Sequence, residues 1–340
     1  MNPEAHSSGV NAQTLYPLVF EPTFQYRLWG GRRLARMLRA PLPGEGPVGE
    51  AWLLSDRDDQ ASVVANGPLR GQSLRQLLER WPEQLLGKLA GRFRRFPLLL
   101  KFLDARELLS VQVHPSDEQP GYLPAGESGK TEAWIVIECG PKSCVYAGLK
   151  PGTTAENLRA AIAHGTLPDH LAHFSPSPGE CIFLQAGTVH SLGDLVVFEV
   201  QQNSDVTFRL DDWSRVDAST GQPRALQVEQ ALACIDFARG AVEKVTPTRE
   251  ESHGVLRERL VLCEHFGLWR VQGTLPFAVG AVDRPRVLVC LDGLGDLQYQ
   301  SANYSLGRGD VMLLPAVLGA CQFQPRGSVS LLELSLPEDT

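Results

Sequence analysis

Residues 110–134 carry side chains that are suited to hold a metal ion. The stretch begins as a short alternating strand, in which Gln112 and His114 face the same side because side chains along a strand alternate between its two faces. After a loop rich in Pro and Gly, an apolar strand begins at Thr131 and Glu132. An amide oxygen, an imidazole and a carboxylate that point from paired strands into one interior suit a divalent metal ion. The sequence therefore predicts half of a metal site, built on two strands that pair with each other.

Charged residues also interrupt segments that are otherwise apolar. Lys101 stands within PLLLKFLD and Glu199 within LVVFEVQQ. An unpaired charge in the core of a protein would be costly, so each is either held in a structural ion pair or points into a polar active site. For Glu199 we favour the active-site interpretation. Lys130 shares the strand face of Glu132, and Arg209 lies in VTFRLDD, where its guanidinium could be held rigidly.

The composition is that of an ordinary globular protein, with 43% hydrophobic and 21% charged residues among 340. A net charge of −7 argues against a nucleic-acid partner, although a small phosphorylated substrate would need only a few local cations. No apolar run reaches the roughly 18 residues of a membrane span, and residues 1–14 lack the basic start and apolar core of a signal peptide. The first of these observations argues against a membrane partner. The seven cysteines form no CxxC pair, which favours reduced thiols in a cytoplasmic protein.

Short strands account for most of the pattern along the chain. Residues 15–240 combine strands with two helical insertions, one near 69–95 with Ser73 as its N-cap and one near 153–175. Residues 241–340 consist almost entirely of short strands separated by Gly and Pro. We therefore expect a mainly β protein made of two tandem jelly-roll domains, with the metal site and the helical insertions in the first.

The segment GECIFLQAGTVHSLGD is similar to the second sequence motif of the cupin superfamily, in which a histidine coordinates a metal ion. That histidine corresponds to His190. Cupins usually have Pro and Asn where this chain has Gln185 and Asp194, and these departures affect turns rather than the ligand. The first cupin motif normally has two histidines spaced as HxH with a glutamate shortly after them. Here Gln112 replaces the first histidine, and the glutamate follows much later.

Four motifs in this order resemble the type I phosphomannose isomerases. They read Gln-x-His-Pro, Gly-Lys-Thr-Glu-x-Trp, Ala-Gly-Thr-x-His and Gln-x-Ser-Asp-x-Thr-x-Arg, and they lie at 112–117, 129–134, 186–190 and 202–213. The resemblance extends over most of residues 15–235. The length and the compact insertions are similar to those of the short bacterial branch of the family.

The resemblance implies one zinc ion per chain, with the ligands Gln112, His114, Glu132 and His190. This set carries one negative charge against two positive charges on the metal. The site would therefore stay cationic, which suits it to polarise a sugar oxygen and to stabilise an enediolate.

The resemblance also implies an isomerase that interconverts mannose 6-phosphate and fructose 6-phosphate through a cis-enediolate. The residues it places in catalysis are Lys101, Lys130, Glu199 and Arg209, of which the lysines and the arginine would also bind the substrate. The general base is left open among Lys130, Glu199 and a water on the metal. The expected partner is a small sugar phosphate, and the protein is expected to be a monomer or a homodimer.

The second half of the chain repeats the cupin spacing without its ligands. Ala320 stands at the histidine position and no HxH pair accompanies it, so we expect a scaffold domain that binds no metal. No helix follows the glycines of LDGLGDL, which are therefore interpreted as hairpin turns rather than a phosphate loop. The alternatives to an isomerase are a non-catalytic sugar-phosphate-binding or regulatory cupin, or a metal-dependent cupin oxygenase. The presence of the ligands, the lysines and the arginine together argues against the first, and Gln112 in place of a histidine argues against the second.

Overall fold

The computed structural model describes residues 15–38, 40–217 and 220–337, and strands predominate in them, which confirms a mainly β fold. The strands are β1 (Leu18–Val19), β2 (Thr23–Gln25), β3 (Glu50–Leu54), β4 (Leu98–Ala105), β5 (Val111–Val113), β6 (Glu132–Leu149), β7 (Leu171–Phe174), β8 (Cys181–Leu184), β9 (His190–Gln202), β10 (Phe208–Asp211), β11 (Val216–Asp217), β12 (Gln222–Pro223), β13 (Thr248–Ser252), β14 (Val255–Leu262), β15 (Gly267–Gly273), β16 (Phe277–Gly280), β17 (Arg286–Asp292), β18 (Leu294–Tyr299), β19 (Ala302–Gly307), β20 (Val311–Leu314), β21 (Ala320–Pro325) and β22 (Val329–Ser335).

Four α-helices lie in the described residues: α1 (Leu74–Arg80), α2 (Pro82–Leu86), α3 (Ala155–His164) and α4 (Val228–Cys234). Ser73 caps α1 as expected, since its hydroxyl accepts from the backbone of Gln76 while the Gln76 side chain accepts from the Ser73 backbone. Thr154 and Asn157 form the same capping box at α3. None of these helices is long and apolar enough to span a bilayer.

A nine-stranded antiparallel sheet carries the predicted site, and β9 is its central strand. One edge of β9 pairs with β4 and β5, and the other edge pairs with β6. The prediction that the two ligand strands pair with each other is therefore wrong, because β9 lies between β5 and β6. Alternation within each strand specifies the face of a side chain but not the neighbouring strand.

The strands after residue 241 form most of two further sheets, one of seven strands and one of four. The seven-stranded sheet also recruits β1 from the start of the described chain, where Leu18 pairs with Leu313 on β20. The LDGLGDL segment is a corner rather than a hairpin, because β17 belongs to the seven-stranded sheet and β18 to the four-stranded sheet. Gly293 makes this corner with a φ of +83°, and an added Cβ would lie 2.2 Å from the carbonyl oxygen of Ser328.

A continuous apolar core joins the sheets. Leu18, Leu85 and Leu86 are fully buried in the same cluster as Phe102 and Leu334, so the N-terminal strand, α2 and both large sheets share one interior. The first stretch of the described chain therefore helps to fasten the two halves of the molecule together.

We expect Leu18→Ala to lower the free energy of unfolding by about 2–5 kcal/mol, the usual cost of truncating a fully buried leucine. Urea denaturation followed by circular dichroism measures the change. Leu262, which is 61% exposed, provides the matched control, and Leu262→Ala should change stability by no more than about 0.5 kcal/mol. Equal stability of the two variants would contradict a role for β1 in stabilising the fold.

Candidate active site

Two histidines present the same nitrogen to one buried point. His114 follows the last residue of β5, and its Nδ1 donates to the carbonyl of Val206 at 2.8 Å. His190 is the first residue of β9, and its Nδ1 donates to the carbonyl of Thr188 at 2.9 Å. Because a carbonyl can only accept, each Nδ1 carries the proton and each Nε2 is unprotonated, with a lone pair that can bind a metal ion.

Glu132 is directed at both of these nitrogens. Its Oε2 lies 3.6 Å from Nε2 of His114 and its Oε1 lies 3.3 Å from Nε2 of His190, with all three side chains buried. Neither oxygen has a well-directed hydrogen bond among the described residues. The three side chains each offer a ligand atom, and these atoms lie within 4.8 Å of one another. Two imidazoles and a free carboxylate around one point fit a divalent metal ion.

The curvature of the sheet brings these ligands together. Glu132, at the start of β6, pairs with Gln201 near the end of β9, whereas His190 lies at the other end of β9. In a flat sheet that separation would be about 36 Å. Register shifts interrupt the pairing of β6 with β9 between Val136 and Glu138 and again between Cys139 and Cys144. Such irregularities bend strands, so they contribute to the curl that closes the site.

Gln112 lies at the edge of the same cluster. Its Nε2 is 3.2 Å from Nε2 of His190, and its Oε1 accepts from the hydroxyl of Ser110 at 3.0 Å. A half-turn of the terminal amide would exchange the two atoms and direct the oxygen at the shared point. All four side chains expected as ligands are therefore brought together.

The electrostatic environment keeps both imidazoles neutral. Burial, the Lys130 ammonium and the neighbouring His190 hold the pKa of His114 well below its usual range. Burial is also the main cause that lowers the pKa of His190, to about 4. At neutral pH both rings are in the uncharged form that binds metals.

Lys130 lies directly beside the ligand cluster. Its Nζ is 2.8 Å from Oε2 of Glu132 and 3.1 Å from Nε2 of His114, and the side chain is buried. The loop that ends at Lys130 thus delivers a cation to the carboxylate that faces both histidines.

Lys101 is held between two buried carboxylates. Its Nζ lies 3.1 Å from Oε1 of Glu199 and 3.8 Å from Oε2 of Glu50. Each carboxylate also accepts from an indole N–H, Glu50 from Trp52 at 2.7 Å and Glu199 from Trp134 at 2.8 Å. Burial alone would favour the neutral amine, but the two carboxylates outweigh it and raise the pKa of Lys101 above its ordinary value.

Two participants in this cluster were not expected as site residues from the sequence. Glu50 binds Lys101 from β3, and Arg27 forms two hydrogen bonds to the Glu50 carboxylate, at 3.1 and 3.0 Å. The sequence signal for Glu50 is its place on the same strand face as Trp52. Arg27 precedes Trp29 in a loop, and no periodicity or motif spacing marks it.

Arg209 lies in the same cavity of about 390 Å³ as Lys101, Lys130, Glu199 and Gln112. Within the described residues it forms no ion pair of 4 Å or less, and its buried Nε has no hydrogen-bond partner. Burial, reinforced by the nearby Arg224 cation, lowers the pKa of Arg209. A guanidinium remains charged even so, which leaves a partly buried cation with free donors in the cavity.

Comparison with known proteins identifies the family. A profile described as the phosphomannose isomerase type I catalytic domain matches residues 18–130. The chain is 36% identical over 310 residues to the mannose-6-phosphate isomerase ManA of Bacillus subtilis, which covers 90% of this chain and 95% of the relative. The chain belongs to the type I phosphomannose isomerase family. A mannose-6-phosphate isomerase of Streptococcus mutans is 33% identical, over 90% of this chain and 95% of its own length.

A solved member of the family has the same fold. The crystal structure of the mannose 6-phosphate isomerase from Bacillus subtilis superposes with a TM-score of 0.86 at 29% identity, and the match covers 94% of this chain and 99% of that one. The cupin-like β fold expected from the motifs is thereby confirmed.

The remaining parts of the described chain add no second ligand cluster of this kind. The trio of His114, Glu132 and His190 is the group of metal-ligating side chains found in the described residues. Ala320 begins β21 after a turn, as His190 begins β9, but it offers no ligand. A larger groove of about 840 Å³ is lined by His265 and by Asp117 and other residues of the 114–130 loop, and its lining contains none of the three ligands.

The ion pairs of Glu50 make stability depend on acid pH. Burial opposes ionisation, but Lys101 and Arg27 lower the pKa of Glu50 to about 2, below the ordinary value of about 4.3. The stabilisation is therefore complete above roughly pH 5 and is lost as the pH falls toward about 2, with a total of about 3 kcal/mol. We expect Glu50→Gln to be less stable at neutral pH and to lose less stability than the parent on acidification.

Urea denaturation at several pH values between about 5 and 2.5 measures this effect. Glu229→Gln is the matched control, because Glu229 pairs with Arg159 at a fully exposed position. Its stability curve should run parallel to that of the parent protein. A parallel curve for Glu50→Gln would contradict the electrostatic role of Glu50.

Proposed function

We propose that this protein is a zinc-dependent isomerase that interconverts mannose 6-phosphate and fructose 6-phosphate. The observation that carries the proposal is the convergence of Glu132 with His114 and His190, beside a cavity that also contains two lysines and an arginine. Curated relatives named mannose-6-phosphate isomerase support it across nine-tenths of the chain. An aldose–ketose isomerisation needs a proton moved between adjacent carbons and negative charge stabilised on two oxygens, and the cavity contains groups for both tasks.

We propose Gln112, His114, Glu132 and His190 as the zinc ligands. Two neutral imidazoles, a carboxylate and an amide oxygen form a nitrogen and oxygen donor set that Zn²⁺ accepts readily. The bound ion would supply Lewis acidity that polarises the sugar carbonyl and makes the adjacent C–H bond more acidic.

Lys101 and Arg209 have different tasks in this proposal. Lys101 is held charged by Glu199 and Glu50, so it serves as a fixed cation and hydrogen-bond donor to the sugar rather than as a base. Arg209 keeps free donors in the cavity and can bind the phosphate group through two parallel hydrogen bonds.

Lys130 is our choice for the group that moves the proton. Its Nζ reaches both Glu132 and His114, whereas the Glu199 carboxylate is already engaged by Lys101 and Trp134. As the base, Lys130 would remove the proton from C2 of the open-chain aldose. The resulting cis-enediolate would then receive the proton at C1 while the hydroxyl proton passes from O2 to O1, which gives the ketose and regenerates the base.

We further propose that residues 15–240 form the catalytic domain and that residues 241–340 form a second cupin domain that acts as scaffold. β1 of the first domain pairs with β20 in the sheet of the second. The seven free thiols are consistent with a cytoplasmic protein.

The activity should depend on the metal. Dialysis against a chelator should abolish the conversion of mannose 6-phosphate, measured in an assay coupled to fructose 6-phosphate consumption, and Zn²⁺ should restore it. In Glu132→Ala and His190→Ala, elemental analysis should show less than one-tenth of the parent's zinc content, because each loses a ligand of the buried cluster. Folded variants that retain both stoichiometric zinc and full activity would refute the ligand assignment. Zinc-loaded parent protein that does not convert the sugar would refute the reaction.

Removal of the proposed base should affect turnover. We expect Lys130→Ala to lower kcat by about 10²- to 10⁴-fold, the usual contribution of a general base. Small primary amines added to the assay should restore part of kcat, because they can occupy the vacated space and accept the proton. The matched control is Lys101→Ala, which removes the other buried lysine and should not be rescued by amines. Equal amine responses in the two variants would exclude Lys130 as the base.

A further inference from the structure

Three consecutive backbone N–H groups precede Glu132, and the structure gives each a specific acceptor. The N–H of Gly129 donates to Oδ1 of Asp117 at 2.6 Å, and that of Lys130 donates to the carbonyl of Pro115 at 3.0 Å. The N–H of Thr131 donates to Oε1 of Gln202 at 2.8 Å. The backbone that carries Lys130 is therefore fixed on both sides of that residue.

The two side chains that accept these bonds are also bonded to each other. Nε2 of Gln202 donates to Oδ2 of Asp117 at 2.7 Å, so the carboxylate and the amide form a single bridge across the segment. The backbone of Gln202 closes a further bond from its N–H to the carbonyl of Thr131 at 3.1 Å. Asp117 and Gln202 thus connect the end of β9 with both ends of the 114–130 loop.

The bridge lies one residue from two groups of the site. Lys130 follows Gly129, and Glu132 follows Thr131, so a shift of this backbone would move the ammonium and the carboxylate together relative to His114. Position 129 has no room for a side chain, since an added Cβ would lie 2.6 Å from the Asp117 nitrogen. Little freedom remains while the bridge is intact.

We propose that Asp117 and Gln202 are positioning residues that fix Lys130 and Glu132 in register with the histidines, and this inference rests on the proposed function. Neither side chain is directed at the ligand cluster, so they act through the segment they hold. Groups that orient ligands in this way usually contribute about 10- to 100-fold to metal affinity or to activity.

Asp117→Asn is the direct test. The variant keeps one acceptor for Gly129 but turns an N–H₂ group toward Nε2 of Gln202, so the bridge is lost. The Asp117 side chain is 48% exposed, and the change should therefore leave folding intact. We expect kcat to fall about 10- to 100-fold with a smaller change in KM, and the zinc dissociation constant to rise by a similar factor.

The reciprocal exchange should restore the bridge. In Asp117→Asn combined with Gln202→Glu, the amide at position 117 donates to the carboxylate at position 202, which still accepts from Thr131. The bond between the two side chains is then restored with donor and acceptor reversed, and the bonds from the N–H groups of Gly129 and Thr131 keep their acceptors. We expect the double variant to recover kcat and zinc affinity to within about threefold of the parent.

Two controls separate positioning from other roles of the loop. Glu127→Gln also converts a loop carboxylate to an amide, but it breaks only the ion pair with Arg57, so kcat and zinc affinity should stay within about twofold. His265 lies 4.0 Å from Oδ2 of Asp117, and His265→Asn tests whether that contact matters. It should leave both quantities unchanged.

Direct titration of zinc into the metal-free proteins keeps this test independent of the reaction. If the parent does not isomerise mannose 6-phosphate but Asp117→Asn still weakens zinc binding, the reaction is refuted and the positioning role stands. The positioning role is overturned if Asp117→Asn retains both kcat and zinc affinity within twofold. It is also overturned if His265→Asn reproduces the loss, or if the double variant does no better than Asp117→Asn.

Discussion

The Glu132 carboxylate is the constraint on which the rest of the site depends. It is buried, neither oxygen has a well-directed hydrogen bond within the described residues, and an isolated carboxylate in such a place would be very costly. The Lys130 ammonium lies 2.8 Å from this carboxylate. Two neutral imidazole nitrogens lie near its oxygens and can bind a metal ion together with it. The charge that is expensive to bury is thus the reason why a lysine and two histidines must be held around one point.

Strand β9 positions most of these groups. It supplies His190 at one end, Glu199 in the middle and Gln202 at the other end, and it lies between the strands that carry the other ligands. A flat sheet would keep its two ends far apart, so the curl of the sheet is as necessary as the residues themselves. The register shifts along β6 bend the sheet and therefore contribute to forming the site.

Much of the site could be predicted from the sequence because its signals are local. His114, Lys130 and Glu132 lie within twenty residues, and a charged residue in an apolar strand, as at Lys101 or Glu199, is visible without any structure. The partners of these charges are not visible in this way. Glu50 reaches Lys101 only because β3 pairs with β4, and Arg27 reaches Glu50 only because β2 pairs with β3. The bridge of Asp117 to Gln202 spans 85 positions. The two errors, pairing of β5 with β6 and a hairpin at Gly293, have the same cause, since alternation specifies which face a residue occupies but not which strand lies next to it.

The arrangement around Lys101 is not explained by stability. A buried ion pair rarely stabilises a protein more than well-packed apolar side chains of the same volume would, because both charges must be removed from water. Here two carboxylates, a lysine and an arginine are buried or half-buried together, and two tryptophan N–H groups donate hydrogen bonds to the carboxylates. What the cluster achieves is a lysine whose charge and position are both fixed at the wall of a small cavity. Fixed charges need no reorganisation when negative charge develops on a substrate, and that property is worth more to a catalyst than the stability an apolar wall would give.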